Sequence, residues 1–184
     1  MRRLRHFAMA PLACATALLG AAAAHAGGPI APTPPMGWNS WDAYGFTVSE
    51  DQFKANAEAI EGLKGYGWRY VVIDEGWYMR NPFGDKLETR DYQLDGHGRL
   101  IPDPTRFPSA ADGRGFETLA AWAHARGLKF GLHIVRGIPR RAVDENLPIE
   151  GSSFRAIDGA DKAETCGWDD GNYGVADNAA GQAY

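Results

Sequence analysis

Asp74 and Glu75 stand side by side where the apolar run Tyr70-Val-Val-Ile73 ends, and Trp77 and Tyr78 follow at once. Two carboxyl groups invite an acid–base reading. Retaining hydrolysis of a glycosidic bond needs carboxyls about 5 Å apart on opposite sides of the bond. Adjacent strand residues point to opposite faces, so neighbours on one backbone segment do not flank a bond between them. Recognition suits the pair better: carboxylates accept hydrogen bonds from hydroxyl groups, and a buried acceptor left unmatched penalises the wrong ligand. The plain alternative is an acid pair bonded to loop amides or to an arginine where a strand surfaces.

Trp41 and Trp77 offer flat apolar faces on which a ligand could pack. Buried tryptophan is more often core, and Trp38, Trp68 and Trp122 are read as core. His133 closes the apolar run Leu128-Lys-Phe-Gly-Leu-His133, and Arg136 lies just beyond it. A histidine there fits either a hydrogen-bonded core residue or a pocket wall. His97, His124 and His133 lack metal-ligand spacing and have no cysteine pair beside them, so no metal is expected.

Positioning these groups requires strands that end together. Tyr70–Ile73, rich in β-branched residues between Gly67 and Gly76, predicts a strand buried on both faces. In α/β folds ligands sit at the C-terminal ends of such strands. Met36-Gly-Trp-Asn-Ser-Trp41 predicts an earlier strand that ends in a site loop. Ser49 with Gln52 forms a capping-box pattern, and a helix then places Phe53, Ala57, Ile60 and Leu63 on one face before Gly65 and Gly67 stop it. A long connection follows, in which Asp91–Asp95 and Arg99–Ile101 pair around Asp95-Gly96 as a hairpin lying over the pocket. A second helix runs from about Phe116 to Arg126, with Phe116, Leu119, Ala120 and Ala123 inward and Gly127 as its stop. The third strand is Leu128–Val135. Strand, helix, strand, helix, strand is the rhythm of parallel βα units. Beyond Arg136 no strand is predicted, and Ala179–Tyr184 reads as the opening of a helix.

Arg2, Arg3 and Arg5, the Ala/Leu-rich stretch from Phe7 to Ala24, and Ala24-His-Ala26 make residues 1–26 a secretory signal peptide, which implies a secreted or periplasmic protein with no membrane anchor after cleavage. Losing those arginines makes the net charge of −4 more negative. No basic run interleaved with aromatics remains, which argues against nucleic acid as a partner. Cleavage after Ala26 leaves Cys166 alone, so no disulfide forms within this chain.

Beyond these readings, Thr33-Pro-Pro-Met-Gly-Trp-Asn-Ser-Trp-Asp42 resembles the entry signature of the melibiase-type α-galactosidases, glycoside hydrolase family 27. Tyr70-Val-Val-Ile-Asp-Glu-Gly-Trp77 resembles that family's second strand, Gly98-Arg-Leu-Ile-Pro-Asp-Pro-Thr-Arg-Phe-Pro-Ser109 its excursion loop, and Gly127-Leu-Lys-Phe-Gly-Leu-His133 its third strand. The resemblance implies a (β/α)8 TIM barrel followed by a β-sandwich. An eight-strand barrel takes roughly 250 residues, so residues 27–184 would be an incomplete barrel of about the first three βα units. It implies a secreted, retaining enzyme that releases terminal α-galactose, takes a small carbohydrate substrate and needs no cofactor; the oligomeric state stays open.

By the same resemblance Trp41 lines the sugar pocket, Asp74 and Glu75 hold hydroxyls far from the scissile bond, and His133 stands where the family often has tyrosine. Arg136 belongs to a wording, His133-Ile-Val-Arg-Gly-Ile-Pro-Arg140, associated with a bacterial branch. The nucleophile and acid/base aspartates would lie downstream of Tyr184, so the chain as given would carry no catalytic residue and be inactive alone. Two departures stand out. Glu75 replaces the usual second aspartate, and the loop after the third strand lacks the cysteine that would partner Cys166. A β-L-arabinopyranosidase or isomaltodextranase-like relative, or a sugar-binding protein without catalysis, are the alternatives.

Overall fold

Three parallel strands carry the acidic tip: Gly37–Asn39 (β1), Tyr70–Ile73 (β2) and Lys129–Leu132 (β3), in the spatial order β1-β2-β3. The computed structural model describes residues 33–83, 91–167 and 170–184. The chain divides into Met1–Thr33 and Pro34–Tyr184, and all of the first unit except Thr33 lies outside the described residues, as does the proposed signal peptide. No helix among the described residues is long and apolar enough to cross a membrane.

Register aligns Trp38 with Val71 and Val71 with Phe130. Residues aligned in a parallel sheet share a face, so these three form one stripe. Helix Glu50–Glu61 (α2) packs on that stripe. Its Phe53 is fully buried, with ring centroids 6.2 Å from Trp38 and 5.5 Å from Phe130. Truncating such a residue to alanine costs about 3–5 kcal/mol. The start of α2 is fixed as expected: the Ser49 side chain accepts from the Gln52 N–H and the Gln52 side chain accepts from the Ser49 N–H. The end differs. Gly62 caps the helix at Glu61, ahead of Gly65 and Gly67, and Leu63 is 39% exposed instead of joining the inward face.

Helix Glu117–Ala125 (α3) buries Leu119 and Ala123, with Phe116 and Ala120 half-buried. Gly37 makes the tight pairing of β1 with β2 possible, because a Cβ there would sit 2.1 Å from the Tyr70 carbonyl oxygen. The expectation of a central strand buried on both faces is not met: Val71 and Ile73 are buried, whereas Tyr70 and Val72 are only half-buried. A curved sheet buries its inner face when further strands close over it, and among the described residues three strands make up this sheet. β3 is also shorter than Leu128–Val135, ending at Leu132, although the His133 N–H still bonds the Ile73 carbonyl.

The hairpin forms around Asp95. Leu94 bridges Leu100 in antiparallel fashion, and the Ile101 N–H bonds the Gln93 carbonyl. Its place differs from the expectation. Tyr92 packs on Tyr78 at 4.8 Å, and Gln93 and Leu100 line a cavity bordered by Trp77, away from Asp74.

Past Arg136 a second, antiparallel sheet corrects the reading that no strand exists there. Ile138–Pro139 (β4), Ala160–Thr165 (β5) and Asn172–Val175 (β6) pair in the order β4-β6-β5. β5 is polar and mostly exposed and β4 has two residues, so neither carries the alternation that marks a half-buried strand. The short helices Trp41–Tyr44 (α1), Arg140–Asp144 (α4), Ala156–Gly159 (α5) and Ala179–Ala183 (α6) complete the fold, the last as expected and capped by Asn178.

Candidate functional site

At the C-terminal ends of β1, β2 and β3, a hollow of about 530 Å3 is lined by Asn39, Trp41, Asp42, Asp74, Glu75 and His133. That size lies within the range of small-molecule sites, roughly 300–1,000 Å3. Each strand contributes from its tip: Asn39 ends β1, Asp74 follows β2, and His133 follows β3.

Asp74 is the hub. Asn39 Nδ2 donates to its Oδ2 at 2.6 Å, and His133 Nδ1 lies 2.9 Å from the same oxygen. Its Oδ1 accepts the Glu75 N–H at 2.8 Å, and its own N–H donates to Ser40 Oγ at 2.9 Å. Asp74 and Glu75 are both buried, so the carboxylate is held by a built network. Asn39 in turn has its other end fixed, because its Oδ1 accepts the Trp41 N–H at 2.8 Å. One asparagine therefore couples the acid to the residue that carries the indole.

Trp41 is 37% exposed and borders the hollow, its ring set edge-on against Phe46 at 4.9 Å and 87°. A half-open indole beside paired carboxylates and an imidazole can pack one face of a sugar ring while the polar groups hold its hydroxyls. Glu75 follows Asp74 directly, and Gly76 then turns the chain with φ +88°.

Two expected members lie elsewhere. Trp77 is buried in a ring cluster with Tyr78 and Phe116, and its Nε1 donates to the His133 carbonyl at 2.8 Å. It fixes the backbone that presents His133 without bordering the hollow, its indole turned into the ring cluster after the turn at Gly76. Arg136 lines a separate cavity of about 160 Å3 with Gly137, Cys166 and Tyr173. Its carbonyl accepts from Asn172, which pulls this part of the chain toward the second sheet. Cys166 is buried and free. Among the described residues no group of acids, histidines and cysteines could hold a metal ion.

Sequence reasoning gave Asn39 and Asp42 no role. Asparagine at a strand end is so common in turns that its type alone carries little signal, although Asn39 lies within the stretch Met36–Trp41 that was read as a strand ending in a site loop. Arg106 was also missed, and its contacts reach the site loops from behind.

A family model described as Alpha galactosidase A matches residues 33–142. The alpha-galactosidase A of Cellvibrio japonicus is 36% identical over 106 residues, covering 56% of this chain and 22% of that protein. Alpha-galactosidase 3 of Arabidopsis thaliana is 33% identical over 134 residues, covering 72% and 26%. A crystal structure of a family 27 β-L-arabinopyranosidase from Geobacillus stearothermophilus, in complex with arabinose, superposes with a TM-score of 0.76 at 48% identity, covering 83% of this chain and 36% of that one. The chain thus spans about a quarter of the length of the curated relatives it matches. The family match over residues 33–142, more than half of the chain, makes this chain a member of the Alpha galactosidase A family, glycoside hydrolase family 27.

Proposed function

We propose that residues 33–184 form the sugar-recognition side of a secreted, retaining glycosidase that removes terminal α-galactose, within a (β/α)8 barrel of which they supply about the first three units. One observation carries the reading: Asn39, Trp41, Asp74, Glu75 and His133, from three consecutive parallel strand ends, meet around one hollow. Ligands of such barrels bind at this end. Asp74 and Glu75 are neighbours in the chain, so they hold hydroxyls, and the pair of carboxyls that flanks the scissile bond belongs to later strands. Export rests on the N-terminal segment of residues 1–26.

A second reading is favoured by Glu75 together with the arabinopyranosidase likeness. β-L-Arabinopyranose has the ring hydroxyl pattern of α-D-galactose without the exocyclic CH2OH. Glutamate reaches one methylene further into the hollow than aspartate, which takes up space that the hydroxymethyl group would need.

The test is hydrolysis of 4-nitrophenyl α-D-galactopyranoside and 4-nitrophenyl β-L-arabinopyranoside by the protein expressed from its complete gene, alongside Glu75→Asp and Asp74→Ala. The first reading expects galactoside turnover, lost in Asp74→Ala. Preference for the arabinoside that swings toward the galactoside in Glu75→Asp selects the second. Sugar binding with neither glycoside cleaved makes the protein a binder, and no binding ends both readings.

A further inference from the structure

Arg106 sits behind the hollow in the loop between the hairpin and α3, with its side chain 9% exposed. Nη1 donates to the carbonyls of Phe46 at 2.9 Å and Val48 at 3.0 Å. Nη2 donates to those of Gly76 at 2.5 Å and Met79 at 2.8 Å. All four terminal N–H groups are thereby committed, two to the loop after α1 and two to the loop after β2. Asp103, itself buried, lies 3.8 Å from Nε and supplies the countercharge.

Arg106 is also stitched in by the backbone of its loop. The Glu50 N–H, at the start of α2, donates to the Arg106 carbonyl, while the Asp103 N–H donates to the Trp77 carbonyl. The guanidinium is therefore set by three elements and has little freedom to follow a movement of either loop.

Those two loops carry the walls of the hollow. Phe46 supports the Trp41 ring, and Gly76 directly follows Glu75. They also touch each other: a Cβ on Gly76 would lie 2.7 Å from Phe46 Cδ1. We propose that Arg106 is a positioning residue for sugar recognition, fixing the distance between the Trp41 face and the Glu75 carboxylate by clamping the backbones of both loops. Lysine cannot substitute. Its three donors radiate from one nitrogen, whereas the planar guanidinium addresses four carbonyls along a fixed fork.

This inference rests on the sugar-site reading above, and the experiment separates the two. In the protein from the complete gene, KM and kcat for both 4-nitrophenyl glycosides, and dissociation constants for galactose and arabinose, are measured for the parent, Arg106→Lys, Phe46→Leu and Leu119→Ala. Leu119 is buried on α3 away from the hollow and serves as a destabilised control. Clamping acts on binding shared by ground and transition states, so Arg106→Lys raises KM about tenfold or more with kcat changed less than about threefold. Phe46→Leu, which breaks the link from the clamp to Trp41 without touching the guanidinium, shifts KM the same way even where Arg106→Lys does not fold. Leu119→Ala lowers Tm and leaves KM unchanged. An unchanged KM in either Arg106→Lys or Phe46→Leu, or an equal rise in Leu119→Ala, overturns the proposal. A parent that binds both sugars without hydrolysis removes only the enzymatic reading, and the dissociation constants then decide the role of Arg106. A parent that binds neither sugar removes both.

Discussion

Asn39 Nδ2 reaches Asp74 Oδ2 at 2.6 Å across the β1–β2 pair, and through its Oδ1 the same side chain holds the Trp41 N–H. An amide is suited to this place, because one end must donate to a carboxylate and the other must accept from a backbone N–H. Aspartate would set two carboxylates against each other, and leucine would satisfy neither partner.

Replacing Asn39 therefore acts on recognition before stability. Asn39→Leu leaves Asp74 with one hydrogen-bond donor fewer and frees the start of α1, so the affinity for galactose or arabinose is expected to fall by about 1–3 kcal/mol, the usual range for a buried polar group that loses its mate. Isothermal titration of the protein from the complete gene measures it. Unaltered affinity would show that Asp74 is oriented by His133, Ser40 and the Glu75 N–H without help from Asn39.

Gly76 is a junction where conformation and space agree. Its φ of +88° disfavours any side chain, and an added Cβ meets Phe46 at 2.7 Å. Gly113 offers the comparison, with φ +75° and nothing within 4 Å of an added Cβ. Both alanine variants bear the backbone penalty of about 1–3 kcal/mol, but only Gly76→Ala must also displace a ring. Denaturant unfolding is expected to rank Gly76→Ala as clearly the more destabilised. Equal losses would mean that Phe46 moves aside freely and that the two loops are not held together there.

How much of this was legible in the residues follows from where the chemistry is local. The capping box of Ser49 and Gln52 and the pairing of the hairpin around Asp95 are set by neighbours in the chain and stood as read, whereas the hairpin's place away from the hollow depends on remote contacts. The strand tips were also readable, because the β-branched run Tyr70–Ile73 ends at Asp74 and the apolar run that starts at Leu128 reaches His133. What escaped depends on contacts remote in sequence. Trp77 could be a sugar platform or core by type alone, and only the turn at Gly76, which brings its indole to the His133 carbonyl, makes it core. Arg106 gathers carbonyls from residues 46, 48, 76 and 79, a set that no local pattern announces. β5 and β6 were invisible because their pairing buries little apolar surface.

Two titrating side chains, Asp95 within the hairpin turn and Tyr184 joining the hairpin to the last helix, give it opposite pH limits. At Asp95, burial pushes the pKa up, but hydrogen bonds from Arg99 and the N–H groups of Arg99 and His97 outweigh it and hold the carboxyl below its ordinary value of 3.8. At Tyr184, whose hydroxyl donates to the Gly98 carbonyl at 2.9 Å, burial and then the Asp95 charge lift the phenol to about 12 from an ordinary 10.0. A depressed acid adds stability above its unfolded pKa and loses it as pH falls through the folded value; a raised phenol adds stability below pH 10 and loses it as pH climbs toward 12. Tyr184 is 37% exposed, so solvent moderates the alkaline limb. Thermal unfolding followed from pH 2 to 12 should thus show Asp95→Asn less stable than the parent at neutral pH but converging with it in acid. Tyr184→Phe, which has no proton to lose, should flatten only the alkaline decline. If Asp95→Asn keeps its deficit at pH 2, the turn depends on packing of the hairpin and not on the charge that Arg99 faces.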